Sequence, residues 1–306
     1  MPDLVWLITG TNSGLGLALA EYVLSQGHHV IATTRNLSKL PESLQRAKHL
    51  ELDTSASQSE IQAVGVKALD LYGHVDVLVN MAGYGLESPV EEIDAKDLER
   101  QYATNVFGPV YLTQALLPSF RARKSGTILN ISSIGSVDPG PGLAGYTSSK
   151  AALDAISETL AQEVAPWNIR VLIVQPSFFP TNWFAAATAN PEQSKNSRPN
   201  ATRTGAYAGV YGISAQIPLR NLRDHRIGDC RKAAQRMFEV VTRTGVAEGL
   251  GDEWDRILLG VECGERFEKF VRHLEGNLKA TEAIWSSTEI EEAEMAALRA
   301  AAGLVD

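Results

Sequence analysis

Short apolar runs alternate with longer amphipathic stretches through the first half of the chain. Leu4 to Thr9 is an apolar run closed by turn residues, which predicts a buried parallel strand. Leu15 to Leu24 then carries Leu17, Ala18, Leu19, Ala20, Val23 and Leu24 at helical spacing. Gly27 stops that helix, and His29 to Thr34 reads as the next strand. Strand-like runs recur at Leu50-Glu51-Leu52, Val75 to Val79, Thr127 to Ile131 and Arg170 to Val174. Helical patterns lie between them at Ser57 to Tyr72, Asp97 to Arg121 and Tyr146 to Val164. Gly108-Pro109 falls inside the second of these, so a kink is expected there.

Strands alternating with amphipathic helices imply βαβ units, hence an α/β fold with a parallel sheet covered on both faces. Right-handed crossovers make a doubly wound sheet in three layers the simplest arrangement. The chain of 306 residues is read as a single domain, residues 1–306. Residues 4–181 are its core. Residues 185–226 are weakly periodic and rich in Ala, Asn, Thr, Gly and Arg, so the segment 182–228 is expected to cover a substrate pocket, as either a mobile lid or a partly helical cover. Trp183 and Phe184 are candidates to line it, with Tyr207 and Tyr211 further along, while Trp167 reads as core. Residues 229–306 are expected to hold a helix from Asp229 (its N-cap) to Val241, a last strand at Arg256 to Leu259 and helices at Phe267 to Leu278 and Thr288 to Ala301.

Composition narrows the function. Hydrophobic residues make up 44% and charged residues 21%, which is ordinary for a soluble globular protein. A formal net charge of -8 argues against nucleic-acid binding, and it means that an anionic ligand must be held by local donors. Cys230 and Cys263 are far apart, so neither a disulfide framework nor a zinc site is expected. The apolar run at Leu4 is too short for a signal peptide or membrane span, and a cytoplasmic location is expected. The acidic residues Glu289, Glu291, Glu292 and Glu294 read as a solvated helix face, and His28 and His29 as surface residues; no metal is expected.

Thr9-Gly10-Thr11-Asn12-Ser13-Gly14-Leu15-Gly16 sits between the first strand and the first helix. Glycines there allow a tight turn and close approach to a pyrophosphate, while the helix N-terminus offers free N–H groups and partial positive charge. At the end of the second strand, Val30-Ile31-Ala32-Thr33-Thr34-Arg35 has no acid to bind adenosine ribose hydroxyls. Arg35 could instead pair with a 2′-phosphate, which favours NADP(H); the alternative is a solvent-facing arginine at a strand end.

Tyr146 and Lys150 share one face of a helix. A phenol with a free pKa near 10 is a poor acid or base at neutral pH, and a neighbouring ammonium lowers that value. The pair means little alone. In order along the chain, however, stand the TGxxxGxG turn, Asn80-Met81-Ala82-Gly83, Asn105, Ile131-Ser132-Ser133 and Tyr146-Thr147-Ser148-Ser149-Lys150. Together they resemble the short-chain dehydrogenase/reductase family, in its compact single-domain, NADP-preferring form. The likeness covers residues 4–181 well and continues more weakly beyond them.

The resemblance implies a Rossmann-type fold, an NADP(H) cofactor and hydride transfer to or from a carbonyl or secondary alcohol of a small molecule. It implies that Tyr146 is the general acid or base, that Lys150 binds the nicotinamide ribose and lowers the tyrosine pKa, and that Ser133 holds the substrate oxygen, with Ser132 as fallback. Asn105 would support the lysine through a water. The cofactor would lie along Gly10, Thr11, Ser13, Gly14, Leu15 and Gly16, then Arg35, Asp53 (at the adenine), Asn80, Ala82 and Gly83, and finally Phe179 and Thr181 at the nicotinamide. Asp53 could equally be a turn or N-cap residue before the helix at Ser57. Met81 departs mildly from the family pattern, and Pro176-Ser177 replaces its Pro-Gly, which leaves the Thr181 assignment less secure. Members commonly form homodimers or homotetramers through helices equivalent to Asp97–Arg121 and Tyr146–Val164. The same fold can also serve epimerisation, elimination or cyclisation, or a regulatory NADP sensor, although a sensor would not need Ser133, Tyr146 and Lys150.

Overall fold

The computed structural model describes residues 3–181, 204–207, 226–251 and 253–302. Most of the expected substrate cover, with Trp183, Phe184 and Tyr211, lies outside the described residues. Two compact units are distinguished, residues 1–266 and 267–306.

The first unit is built on a seven-stranded sheet in the order β3-β2-β1-β4-β5-β6-β7. The strands are β1 (Val5–Thr9), β2 (His29–Thr34), β3 (Lys48–Glu51), β4 (Val77–Asn80), β5 (Gly126–Ile131), β6 (Ile169–Pro176) and β7 (Arg256–Leu259). Every pairing is parallel. Its helices include α1 (Gly14–Ser25), α2 (Gln58–Tyr72), α3 (Ala95–Tyr102), α4 (Gly108–Arg123), α5 (Ala144–Val164) and α6 (Cys230–Thr242). The doubly wound, Rossmann-type α/β fold expected from the sequence is the fold observed.

Alternation along β1 explains the layers. Trp6 and Ile8 face one core with Leu19 and Val23 of α1 and Met237 and Phe238 of α6. Val5 and Leu7 face the other with Ile61 of α2, Leu112, Leu116 and Phe120 of α4, and Val164 of α5. β1 pairs with β2 on one side and β4 on the other, so the chain reverses direction across the sheet there. Such a reversal opens a crevice at the carboxyl ends of the strands, and the Gly-rich turn stands at its edge.

Local signals set the element ends. Ser57 and Glu60 form a capping box at the start of α2, and the Asp229 carboxylate accepts from the N–H groups of Arg231 and Lys232 to start α6. At Gly108-Pro109 the helix does not break. Pro109 has no N–H to give the Asn105 carbonyl four residues earlier, and Ala103–Phe107 winds as a π-helical turn between α3 and α4.

Two expectations need correction. His28 is buried rather than on the surface: its Nδ1 accepts from the Leu4 N–H at 3.1 Å, its ring meets Phe238 edge-on, and burial lowers its pKa. A neutral imidazole satisfies the Leu4 N–H just before β1. Trp167, expected in the core, is 37% exposed and lies beneath the Arg121 guanidinium, because it sits in the turn that leaves α5.

The helix α7 (Val261–Ala280) begins in the first unit. The second unit holds its later turns with α8 (Glu282–Trp285) and α9 (Glu292–Ala301). Glu289, Glu291, Glu292 and Glu294 are exposed, as a solvated face requires. Among the described residues no group of His, Cys, Asp or Glu is arranged to hold a metal, and no helix is long and apolar enough to cross a membrane.

Candidate active site and dinucleotide cleft

The turn after β1 is pinned from below. The N–H groups of Gly10 and Thr11 both donate to the Thr33 carbonyl, at 3.0 and 3.1 Å, and the Thr11 hydroxyl donates to the same oxygen. These bonds fix the turn over the ends of β1 and β2. Gly14 has a φ of +59°, in the left-handed region that L side chains avoid. Gly16 packs so closely that a Cβ there would collide with the Gly10 carbonyl. Ser13 leads into α1 in extended conformation without a side-chain cap, and no acid stands in the first turn. The first N–H groups of α1, at Gly14, Leu15 and Gly16, thus keep their partial positive charge for an anion. Room without side chains, free donors and a helix N-terminus fit a dinucleotide pyrophosphate.

Arg35 is exposed just past β2 and makes no ion pair with a described residue. Asp53 is also exposed, and its carboxylate accepts from both the N–H and the hydroxyl of Ser55, at 2.9 and 2.7 Å. It therefore builds the turn before α2. Asn80 is buried, and its amide donates to Asn130 at 2.7 Å and more weakly to Thr113. Its amide nitrogen ties β4 to β5 and α4. Ala82 and Gly83 follow at the rim. Thr181 stands against the turn: a Cβ on Gly14 would come 3.0 Å from its methyl group. Phe179 packs on the core of the α1 and α6 face.

Thr9, which was not singled out from the sequence, locks two of these segments together. Its hydroxyl donates to the Val79 carbonyl and accepts from the N–H groups of Met81 and Ala82, both at 2.9 Å. Gln101 acts likewise on the next stretch, accepting from the Leu86 N–H and donating to the Tyr84 carbonyl. Position next to a glycine at a strand end could have flagged Thr9. Gln101 carries no such sign, since a polar residue on a charged helix reads as surface.

The reactive groups meet at the carboxyl ends of β4 and β5 and the start of α5. Tyr146 and Lys150 are both buried. The Ser133 hydroxyl lies near enough to the Tyr146 hydroxyl to pull its pKa down. Ser133 also receives the Gly135 N–H at 3.0 Å, which holds its rotamer. Ser132 is buried, and its hydroxyl has no hydrogen-bond partner among the described residues. Lys150 donates to the Ile131 carbonyl at 2.7 Å, and its Nζ is 6.0 Å from the Tyr146 ring centroid. Asn105 grips the Tyr84 backbone through both N–H and carbonyl and donates to Ser149 on α5 at 3.1 Å. A Cβ on Gly83 would meet Asn105 Oδ1 at 3.2 Å and Lys150 Nζ at 3.4 Å, so these three residues face one small space.

The electrostatics differ from a phenol simply lowered by its lysine. Burial pushes Tyr146 up to about 12, with the Ser133 hydroxyl pulling it down and Asp154 pushing it further up. Burial pushes Lys150 down to about 8, and the Asp154 carboxylate opposes this. Tyr146 is therefore a neutral phenol near pH 7, able to give a proton, while Lys150 is poised close to its titration.

Comparison with known proteins agrees with this geometry. The sequence matches the short chain dehydrogenase family over residues 4–192. It is 37% identical over 209 residues to "Oxidoreductase BOA17" of Botryotinia fuckeliana (strain B05.10), covering 67% of this chain and 75% of that protein. A crystal structure of a short-chain dehydrogenase from Streptomyces avermitilis superposes with a TM-score of 0.78 at 33% identity, over 94% of this chain and 99% of that one. A metagenomic short-chain oxidoreductase in complex with NADP is 31% identical, with a TM-score of 0.54, over 56% of this chain and 81% of that one. A Burkholderia phymatum short chain dehydrogenase/reductase in complex with NAD (TM-score 0.74 over 90% of this chain and 95% of that one) shows the fold alone at 23% identity. The chain belongs to the short-chain dehydrogenase family, and its cleft fits a nucleotide cofactor.

Proposed function

We propose that the protein is an NADP(H)-dependent oxidoreductase that interconverts a ketone or aldehyde with the corresponding alcohol on a small, apolar molecule. The observation that carries this reading is the buried Tyr146 beside the half-buried Ser133, with the buried Lys150 one helical turn away. The bound nicotinamide would supply or accept the hydride. Ser133 would hold the substrate oxygen, and Tyr146 would deliver a proton to it as negative charge develops. Lys150 would bind the nicotinamide ribose and keep positive charge near the phenol. Asn105 would fix the loop at Tyr84 against α5 and so preserve the space beside Gly83. The first N–H groups of α1 would hold the pyrophosphate, and Arg35 the 2′-phosphate.

The choice of NADP(H) rests on exposed Arg35, which has no ion pair among the described residues, and on the lack of an acid at the end of β2. Reduction is then the favoured direction, as a preference for NADP(H) implies. A homodimer or homotetramer through α4 and α5 is part of the proposal, and Phe107 and Ile156 leave apolar surface exposed in that region. Titration of the protein with NADPH and NADH, followed by a panel of apolar ketones, tests the reading. Tighter binding of NADPH with turnover on one of them is expected, and no binding of either nucleotide would overturn it.

A further inference from the structure

Behind the catalytic residues lies a second polar cluster that the mechanism above does not use. Asp154 is on α5, one turn beyond Lys150, and is 5% exposed. Its Oδ2 accepts from Arg256 of β7 and from the Gln175 amide of β6, both at 3.1 Å. The same amide nitrogen donates to Ser136 at 2.8 Å, and the Ser136 hydroxyl donates to the Ser133 carbonyl at 2.8 Å. Arg256 makes its other ion pair with Glu158, one turn further along α5. The register explains this convergence, since Arg256 is level with Ile173 on β6 and so shares the sheet face that α5 covers.

One detail separates this cluster from ordinary structural pairing. Asp154 Oδ1 is buried without a hydrogen-bond partner among the described residues. A carboxylate oxygen left so is costly, and an apolar side chain could fill the place under α5 more cheaply. Asp154 lies four residues after Lys150 on the same side of the helix, and its negative charge favours the charged form of Lys150.

We propose that Asp154 is a positioning residue for the reaction: its carboxylate, set in place by Arg256 and Gln175, keeps Lys150 charged beside Tyr146. This rests on the reading of Tyr146 and Lys150 as the working pair. The charged and titratable groups facing Asp154 are Lys150, Tyr146 and Glu158 on α5 and Arg256 on β7. Cys263 of α7 stands behind Gln175, bonded to its carbonyl, and burial keeps it a neutral thiol with a pKa of about 11. Without Asp154 the burial of Lys150 would go unopposed. The ammonium would then lose its proton nearer neutrality, and with it the positive charge beside the phenol. Arg256 has the opposite effect, because it offsets part of the Asp154 field.

The test reads Lys150 itself. The protein is labelled with lysine carrying ¹³C at Cε, the Lys150 resonance is assigned by its absence in Lys150→Met, and its titration midpoint is followed by NMR. Asp154→Asn keeps the shape and removes the charge, and it should lower that midpoint by on the order of one pH unit. Arg256→Gln should raise it. Ser157→Ala, a buried polar change further along α5, should lower the melting temperature and leave the midpoint in place. Midpoints unmoved in Asp154→Asn and Arg256→Gln, or moved the same way in both, would overturn the proposal. If Asp154→Asn does not fold, Asp154→Ser, which also removes the charge, is read in its place and should lower the midpoint likewise. Neither nucleotide nor substrate is needed, so failure here is distinct from failure to bind NADPH.

Discussion

Replacing Thr9 by valine removes one hydroxyl and nearly preserves the volume. Thr9 is 1% exposed, and its oxygen is the acceptor for the N–H groups of Met81 and Ala82, both at 2.9 Å. Valine leaves both donors without that partner, at about 1–3 kcal/mol for each buried group. Met81 and Ala82 are only partly buried, so the lower end applies, and a total loss of about 2–4 kcal/mol is expected. That is a large share of the ~5–15 kcal/mol that holds a typical domain together. The change should also reach the cleft. A Cβ on Gly10 would already come 3.0 Å from the Ala82 backbone, so any relaxation of Ala82 presses on the phosphate turn. Urea denaturation of Thr9→Val, Thr9→Ser and the wild type measures the effect. Thr9→Ser keeps the hydroxyl and loses a methyl group, worth about 1 kcal/mol. Thr9→Val should have a clearly lower midpoint than Thr9→Ser with an unchanged slope, and weaker NADPH binding. Equal stability of the two variants would refute the reasoning, because the hydroxyl would then contribute nothing.

Two further predictions concern charge. Arg35→Ala should lower the preference for NADPH over NADH by roughly ten- to a hundredfold, the worth of a charge-assisted hydrogen bond to phosphate; an unchanged ratio in binding titrations would remove the basis for the cofactor choice. Burial pushes Glu87 up to about 7 from an ordinary value of 4.5. The folded state therefore holds this proton more tightly than the unfolded state, and the stability that the proton brings is lost as pH rises through about 7. Glu87→Gln should accordingly be more stable than the wild type at pH ~8, with the difference fading toward pH ~5, in thermal melts across that range. A difference independent of pH would contradict the assignment.

Much of this fold was legible because its signals are local. The second strand and the last strand fall at the residues expected, and the Gly-rich turn stands where an apolar run gives way to a helical pattern. Ser133, Tyr146 and Lys150 are drawn together as the order of motifs implied. What was not legible depends on partners far away in the chain. Thr9 reads as a strand terminus until Met81 and Ala82 arrive beside it. Asn80 belongs to a family motif, yet its amide is spent on Asn130 inside the fold. Asp154 and Arg256 are 102 positions apart, and only the pairing of β6 with β7 brings them together. His28 shows the same limit: nothing in Gly27-His28-His29 says that one imidazole will accept from the Leu4 N–H just before β1.

The central claim is that Tyr146 donates the proton in a dinucleotide-dependent reduction. Its most direct test compares wild type and Tyr146→Phe in NADPH affinity and in NADPH oxidation with one ketone that the wild type turns over. The account predicts near-unchanged affinity and a loss of turnover of at least about a hundredfold, the usual contribution of general acid catalysis. Turnover by Tyr146→Phe at close to the wild-type rate would contradict it.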